Sequence, residues 1–111
     1  MKYPELYLAW ALLLLNGVGL AYAENAPSKE TEIVEQGRAI YTSQCSRCHG
    51  YKMVNNGLVG FDLRKFPKDQ HERFVNSVRH GKPPKMPPWG DVLSDNDIEA
   101  LWAYVQTGGS S

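Results

Sequence analysis

Apolar residues gather in four places along this chain. From Leu6 to Leu15 they form an uncharged run, LYLAWALLLL. Over residues 31–44, Ile33, Val34, Gly37, Ile40 and Tyr41 recur at spacings of one, three and four, which predicts a helix with one inward face. Over residues 70–80, Phe74, Val75 and Val78 share a second helical face. Asp69 with Glu72 makes a D-x-x-E start signal, and Gly81 stands just past the end. Over residues 95–106, Ile98, Leu101, Trp102 and Val105 follow the i, i+3, i+4, i+7 pattern. Ser94 suits the N-cap of this last helix, and Leu93 and Ile98 sit where they can staple its entry. Asp95, Asp97 and Glu99 lie near its positive end, and Gly108-Gly109 stops it.

Between these helices lie segments that neither period explains. Residues 50–68 hold three glycines, Asn55-Asn56 and Pro67, and residues 81–90 read GKPPKMPPWG. No run alternates long enough for a sheet, so the fold class is all-α. Long ordered loops in a small chain need something to pack on, which points to a bound group.

The leading apolar run has the layout of a secretory signal. Lys2 precedes it, and the small-x-small triplet Ala21-Tyr22-Ala23 follows it just before Glu24. Residues 1–23 are therefore expected to be a cleaved signal peptide. The alternative is a retained anchor, since Leu6 to Ala23 falls near the lower limit for a membrane span. Asn16, Gly17 and Gly19 weaken that alternative. Both readings put the remainder outside the cytoplasm. Residues 24–30 read as a flexible lead-in and 31–111 as the folded domain, a size that often needs a metal, cofactor or disulfide as a staple.

Composition narrows the classes. The 111 residues carry 12 basic and 12 acidic side chains, so a strongly basic nucleic-acid binder is excluded. Two cysteines cannot make a multi-disulfide scaffold. They stand in Cys45-Ser46-Arg47-Cys48-His49, the C-x-x-C-H signal for covalent haem. Two thiols must add to two vinyl groups on one edge of a porphyrin, and two intervening residues let both sulfurs reach that edge. A histidine directly after then falls under the iron. A zinc site would want a second separated pair of ligands, which His71 and His80 do not provide. A thioredoxin-like pair would want a βαβ pattern.

Met86 is the leading candidate for the sixth ligand. It lies in Lys85-Met86-Pro87-Pro88-Trp89, where prolines stiffen the loop on both sides. Met53 is too near His49 to reach the opposite face and reads as a packing or surface residue. His71 and His80 are the alternatives, as a bis-His site.

With these residues in hand, the chain resembles the class I c-type cytochromes. The likeness runs over about residues 31–107. Gly37-Arg38-Ala39-Ile40-Tyr41 resembles the family's first helix, Cys45, Cys48 and His49 its attachment site, Met86-Pro87 its distal-ligand loop and Leu101-Trp102-Ala103-Tyr104 its last helix. The resemblance implies a cytochrome c fold, three main helices wrapped around one covalently attached haem c. It implies that Gly37 and Tyr41 meet Leu101 and Tyr104 where the first and last helices cross. One departure stands out. Many members carry a proline soon after the attachment site, whose carbonyl binds the ligand histidine, whereas here no proline precedes Pro67. A carbonyl of Leu58, Val59 or Gly60 is expected in its place. Phe61 and Leu63 are expected to pack on the porphyrin. Trp89 is expected at the haem edge or over the loop, and Arg64 at a propionate or in solvent.

An iron held by both His49 and Met86 has no open position, which leaves one-electron exchange rather than catalysis. The expected function is therefore a periplasmic electron carrier, not an enzyme. The alternative is a haem enzyme or gas sensor with a displaceable sixth ligand. GFDLRKFP and MPPW are similar to cytochromes associated with periplasmic quinoprotein dehydrogenases, so such a dehydrogenase and a terminal oxidase are the expected partners, with no nucleic acid and with membrane contact only if the N-terminal segment stays. Neutrality is also uneven. Residues 64–85 carry seven basic side chains against Asp69 and Glu72, while Asp91, Asp95, Asp97 and Glu99 follow. Arg47, Lys52, Lys82 and Lys85 are expected to rim an exposed haem edge and steer an acidic partner.

Overall fold

The structure, a computed structural model, describes residues 26–110. The expected signal peptide lies outside the described residues. Among the described residues no helix is long and apolar enough to cross a membrane.

Helix α1 spans Lys29–Ile40 and passes without a break into a π-helical turn, Tyr41–Cys45, and a short helix α2, Ser46–His49. Single 3₁₀ turns follow at Tyr51–Met53 and Leu63–Lys65. Helix α3 spans His71–His80 and helix α4 Asp95–Gln106. Among the described residues no strand forms, apart from one isolated bridge between Lys82 and Met86.

Three helix boundaries show what sets them. Helix α1 starts two residues before the span 31–44 that the apolar period predicts, because the Ser28 hydroxyl accepts the Thr31 N–H at 3.2 Å and caps it. Helix α4 starts at the expected Ser94, with a full capping box: Asp97 N–H donates to Ser94 Oγ at 3.1 Å and Ser94 N–H to Asp97 Oδ2 at 3.0 Å. Leu93 and Ile98 both enter the core there. The D-x-x-E signal at Asp69 does not operate. The carbonyl of Gln70 takes the first helical bond, from Phe74 N–H at 3.1 Å, so Gln70 is the N-cap and its side chain makes no capping bond.

The core comprises Tyr41, Met53, Phe74, Val78, Leu93, Ile98, Leu101, Tyr104 and Val105. Its centre is the crossing of α1 and α4 at Gly37. A Cβ there would collide with the Ala100 carbonyl oxygen and lie 2.9 Å from Tyr104 Cβ. Only hydrogen in place of a side chain lets the two backbones approach so closely. One turn on, the Tyr41 and Tyr104 rings meet at 5.2 Å. The expected crossing thus forms, with Ala100 rather than Leu101 against the glycine, while Leu101 fills the core beside it.

Helix α3 joins α4 through aromatic rings, one ion pair and one histidine–carboxylate hydrogen bond. Trp102 stacks on Phe74 at 5.0 Å and meets Phe66 at 6.1 Å. His71 bonds Glu99 and Arg79 bonds Asp95, one near each end of α3.

Candidate functional site

The π turn delivers Cys45 to the site. In it the Ser46 N–H reaches back five residues to the Tyr41 carbonyl, and the Ser46 hydroxyl donates to Thr42 O at 2.6 Å. Such single π turns recur at functional sites because they re-aim a side chain within a helical run. Cys45 comes out half-buried against the core, Cys48 exposed, and no disulfide joins them. Burial and the nearby Cys48 push the Cys45 thiol up to about 11. Burial of this kind disfavours a thiolate at Cys45.

His49 is the last residue of α2. Its Nδ1 lies 2.7 Å from the Phe61 carbonyl oxygen. A carbonyl only accepts, so Nδ1 carries the proton and Nε2 keeps a free lone pair for a metal. The partner is Phe61, not Leu58, Val59 or Gly60 as expected. Gly60 is turned the other way: its N–H donates to Cys48 O at 2.8 Å, and its carbonyl takes the Asn55 side-chain amide. The same glycine makes the fit possible. A Cβ on it would stand 2.5 Å from Cys48 O and 2.8 Å from His49 Nδ1.

Two further clamps hold this corner. The Tyr41 hydroxyl donates to Gly50 O at 2.6 Å, fixing the end of α2. Burial drives that phenol far above its ordinary range. Beyond Phe61, Asp62 caps the Leu63–Lys65 turn, accepting Arg64 N–H at 3.1 Å and the guanidinium at 2.9 and 2.8 Å. The Arg64 side chain holds the Asp62 carboxyl down to about 2. Arg64 is therefore committed to Asp62. Leu63 packs on the core, while Phe61 is exposed, as are Tyr51, Val54, Leu58 and Val59 on the same segment.

Met86 sits at the far end of a tight loop. Lys82 N–H donates to Met86 O at 2.9 Å and Met86 N–H to Lys82 O at 3.0 Å. Trp89 N–H then bonds Val78 O at 2.9 Å and Gly90 N–H bonds Arg79 O at 3.1 Å, which folds the loop back on the end of α3. Gly81 permits the reversal at φ 72°, where a Cβ would lie 2.6 Å from Met86 O. Met86, Trp89 and Cys45 all pack, partly buried, against the one core. Met53 is fully buried in that core, as its reading as a packing residue requires. Of the alternative ligands, His71 has Nε2 at 2.9 Å from both Glu99 oxygens, and His80 is exposed at the end of α3.

The residues present fit a covalently held haem. Two unlinked thiols stand one turn apart, the next residue offers a free imidazole Nε2, and Gly60 clears the space beside that ring. Sequence reading overlooks Asn55, Asp62 and the Tyr41 hydroxyl. The only hint of them is that Asn55-Asn56-Gly57 is turn chemistry.

Comparison with known proteins matches residues 32–105 to the family described as cytochrome c oxidase, cbb3-type, subunit III. A quinohemoprotein alcohol dehydrogenase ADH-IIG of Pseudomonas putida is 31% identical over 81 residues, covering 72% of this chain and 11% of that one. A second, ADH IIB of the same organism, is 34% identical over 92 residues, or 78% of this chain and 13% of that one. Cytochrome c6 of Microcystis aeruginosa is 40% identical over 73 residues, or 62% of this chain and 89% of that one. The chain thus spans about a tenth of the two dehydrogenases but most of the length of the cytochrome c6. No solved structure matches it.

Proposed function

Because this chain belongs to the family described as cytochrome c oxidase, cbb3-type, subunit III, and is a small class I c-type cytochrome, we propose that it is a periplasmic carrier of single electrons. Cys45 and Cys48 would hold one haem c through thioether bonds, and His49 and Met86 would hold its iron. The bound group supplies one-electron exchange between Fe(III) and Fe(II). The chain's own residues do the rest. Phe61 O fixes the imidazole tautomer and makes Nε2 the stronger donor. The loop closed by Lys82 and Met86 presents the thioether from a backbone pinned to α3, so little has to move on electron transfer.

The observation that carries this reading is the His49 Nδ1–H to Phe61 bond, one residue after two unlinked cysteines. It leaves Nε2, the nitrogen that a metal needs, beside two free thiols. A thioether ligand and an apolar surround raise the potential, which suits a carrier. The quinohemoprotein relatives favour a quinoprotein dehydrogenase as electron donor and the cbb3 family description favours a terminal oxidase as acceptor. Export follows from the leading apolar run and its small-x-small site.

Mass spectrometry of the exported protein should show loss of residues 1–23 and addition of one haem. The visible spectrum should carry a sharp reduced c-type band and a weak far-red band of methionine-bound Fe(III). Met86→Ala should lose the far-red band and bind carbon monoxide, which the native protein should not. Tight carbon monoxide binding by the native protein would favour a haem enzyme or sensor and overturn the carrier.

A further inference from the structure

We propose that Asn55 is a positioning residue for His49. Its side chain sets where the Phe61 carbonyl meets the imidazole. The inference rests on His49 being the iron ligand, as proposed above.

The loop after the attachment residues lacks a proline before Pro67. A proline in place of this segment would hold its carbonyl by ring geometry. Here residues 57–61 read GLVGF, two glycines among apolar side chains that are largely exposed. Such a backbone has no stiffness of its own. Asn55 supplies it from both ends of its amide. Its Oδ1 accepts the Leu58 N–H at 2.8 Å, closing the turn at Gly57. Its Nδ2 donates to the Gly60 carbonyl, the peptide directly before Phe61. The Gly60 N–H is meanwhile held by Cys48 O at 2.8 Å. The Gly60 residue is thus fixed through both its N–H and its C=O, and the next carbonyl is left facing His49 Nδ1. Asn55 makes no hydrogen bond to the imidazole or to Phe61 O, so it acts through the peptide it holds.

The two arms of the amide can be separated. Asn55→Ala removes both. Asn55→Asp keeps the acceptor for Leu58 N–H and removes the donor to Gly60 O. If Asn55 only forms the turn, the aspartate is a full replacement. If it positions the carbonyl, the aspartate fails as the alanine does.

The test uses the haem-loaded protein. Exchange of the His49 Nδ1–H with solvent, followed by nitrogen-labelled histidine NMR in the reduced state, reads the bond itself. Wild type should show one protected, iron-shifted imidazole proton. Both variants should exchange it about three- to tenfold faster, the factor a single hydrogen bond carries. A weaker bond makes the imidazole a poorer donor to Fe(III), so in Asn55→Ala the reduced-to-oxidised ratio at fixed ambient potential should rise about threefold. Exchange alone is the readout for Asn55→Asp, because its charge moves the potential independently. Unchanged exchange in Asn55→Asp overturns the proposal and leaves the ligand assignment standing, even where Asn55→Ala fails to load. Absence of any protected imidazole proton in loaded wild type overturns the proposal, and absence of any haem-shifted histidine ring overturns the ligand assignment with it.

Discussion

Gly37 and Tyr41 show how narrowly single residues are specified here. Adding one methyl at Gly37 meets the Ala100 backbone, which cannot swing aside as a side chain can. Gly37→Ala should therefore cost about 1–3 kcal/mol, as overpacking does. For a domain of this size that lowers the melting temperature by at least about 4 °C. Urea unfolding with an unchanged slope and a lower midpoint is the expected result, and a midpoint equal to wild type would refute the close crossing. Asp62 carries a prediction about acid. Its folded carboxyl titrates at about 2, below the ordinary 3.8, because Arg64 hydrogen-bonds it. Its stabilising effect is thus complete above about pH 4 and is lost as pH falls through 2. The pair is exposed, so the effect is small. Asp62→Asn should flatten stability between pH 4 and 2 and change nothing else in that curve. An acid limb as steep as in wild type would count against the pair.

At the level of elements, capping decides where the helices begin. Ser94→Ala removes the bond to Asp97 N–H and leaves the Asp97 carboxylate with half its box. It should cost about 1 kcal/mol, measured by denaturant unfolding at neutral pH. The Asp97 carboxyl is itself held low by the Ser94 backbone and side chain, so part of this contribution should fade as pH drops through the carboxylate range. Helix α4 is legible in the sequence because cap, staple, acids and apolar stripe all agree. The start of α3 is not, because Asp69 offers a capping side chain that the Gln70 backbone leaves one residue outside the helix. The site divides the same way. Of the candidate residues, Cys45, Cys48 and His49 are visible as residue types whose chemistry demands a spacing, and Met86 as a methionine in a proline-stiffened loop. The Phe61 carbonyl is not, since every residue has a carbonyl and only the bonds at Gly60 select this one. The π turn before Cys45 is equally silent, because it shares the helical apolar period up to Tyr41.

Across the whole molecule, the charges form blocks. The stretch from Arg64 to Lys85 is basic and runs directly into the Met86 loop, where Lys82 and Lys85 are both exposed. Arg47 and Lys52, also exposed, flank the attachment segment. If these four steer an acidic partner, the bimolecular rate of reduction should fall as salt rises toward about 0.15 M, where charges beyond about 8 Å are screened. Lys82→Glu with Lys85→Glu should slow that reaction about tenfold at low salt and leave the visible spectrum intact. A rate indifferent to salt would remove the steering.

The crossing at Gly37 joins the first and last long helices of the described residues, with the attachment segment between them. A chain emerging from its N-terminus makes α1 early, yet α1 has no surface to close on until α4 exists. Until then Cys45 lacks the α4 part of the core on which it packs in the folded chain. If residues 45–49 take up a bulky planar group as proposed, the interval before α4 packs on α1 is one in which it can be joined to the chain. Packing of α4 on α1 then ends that interval.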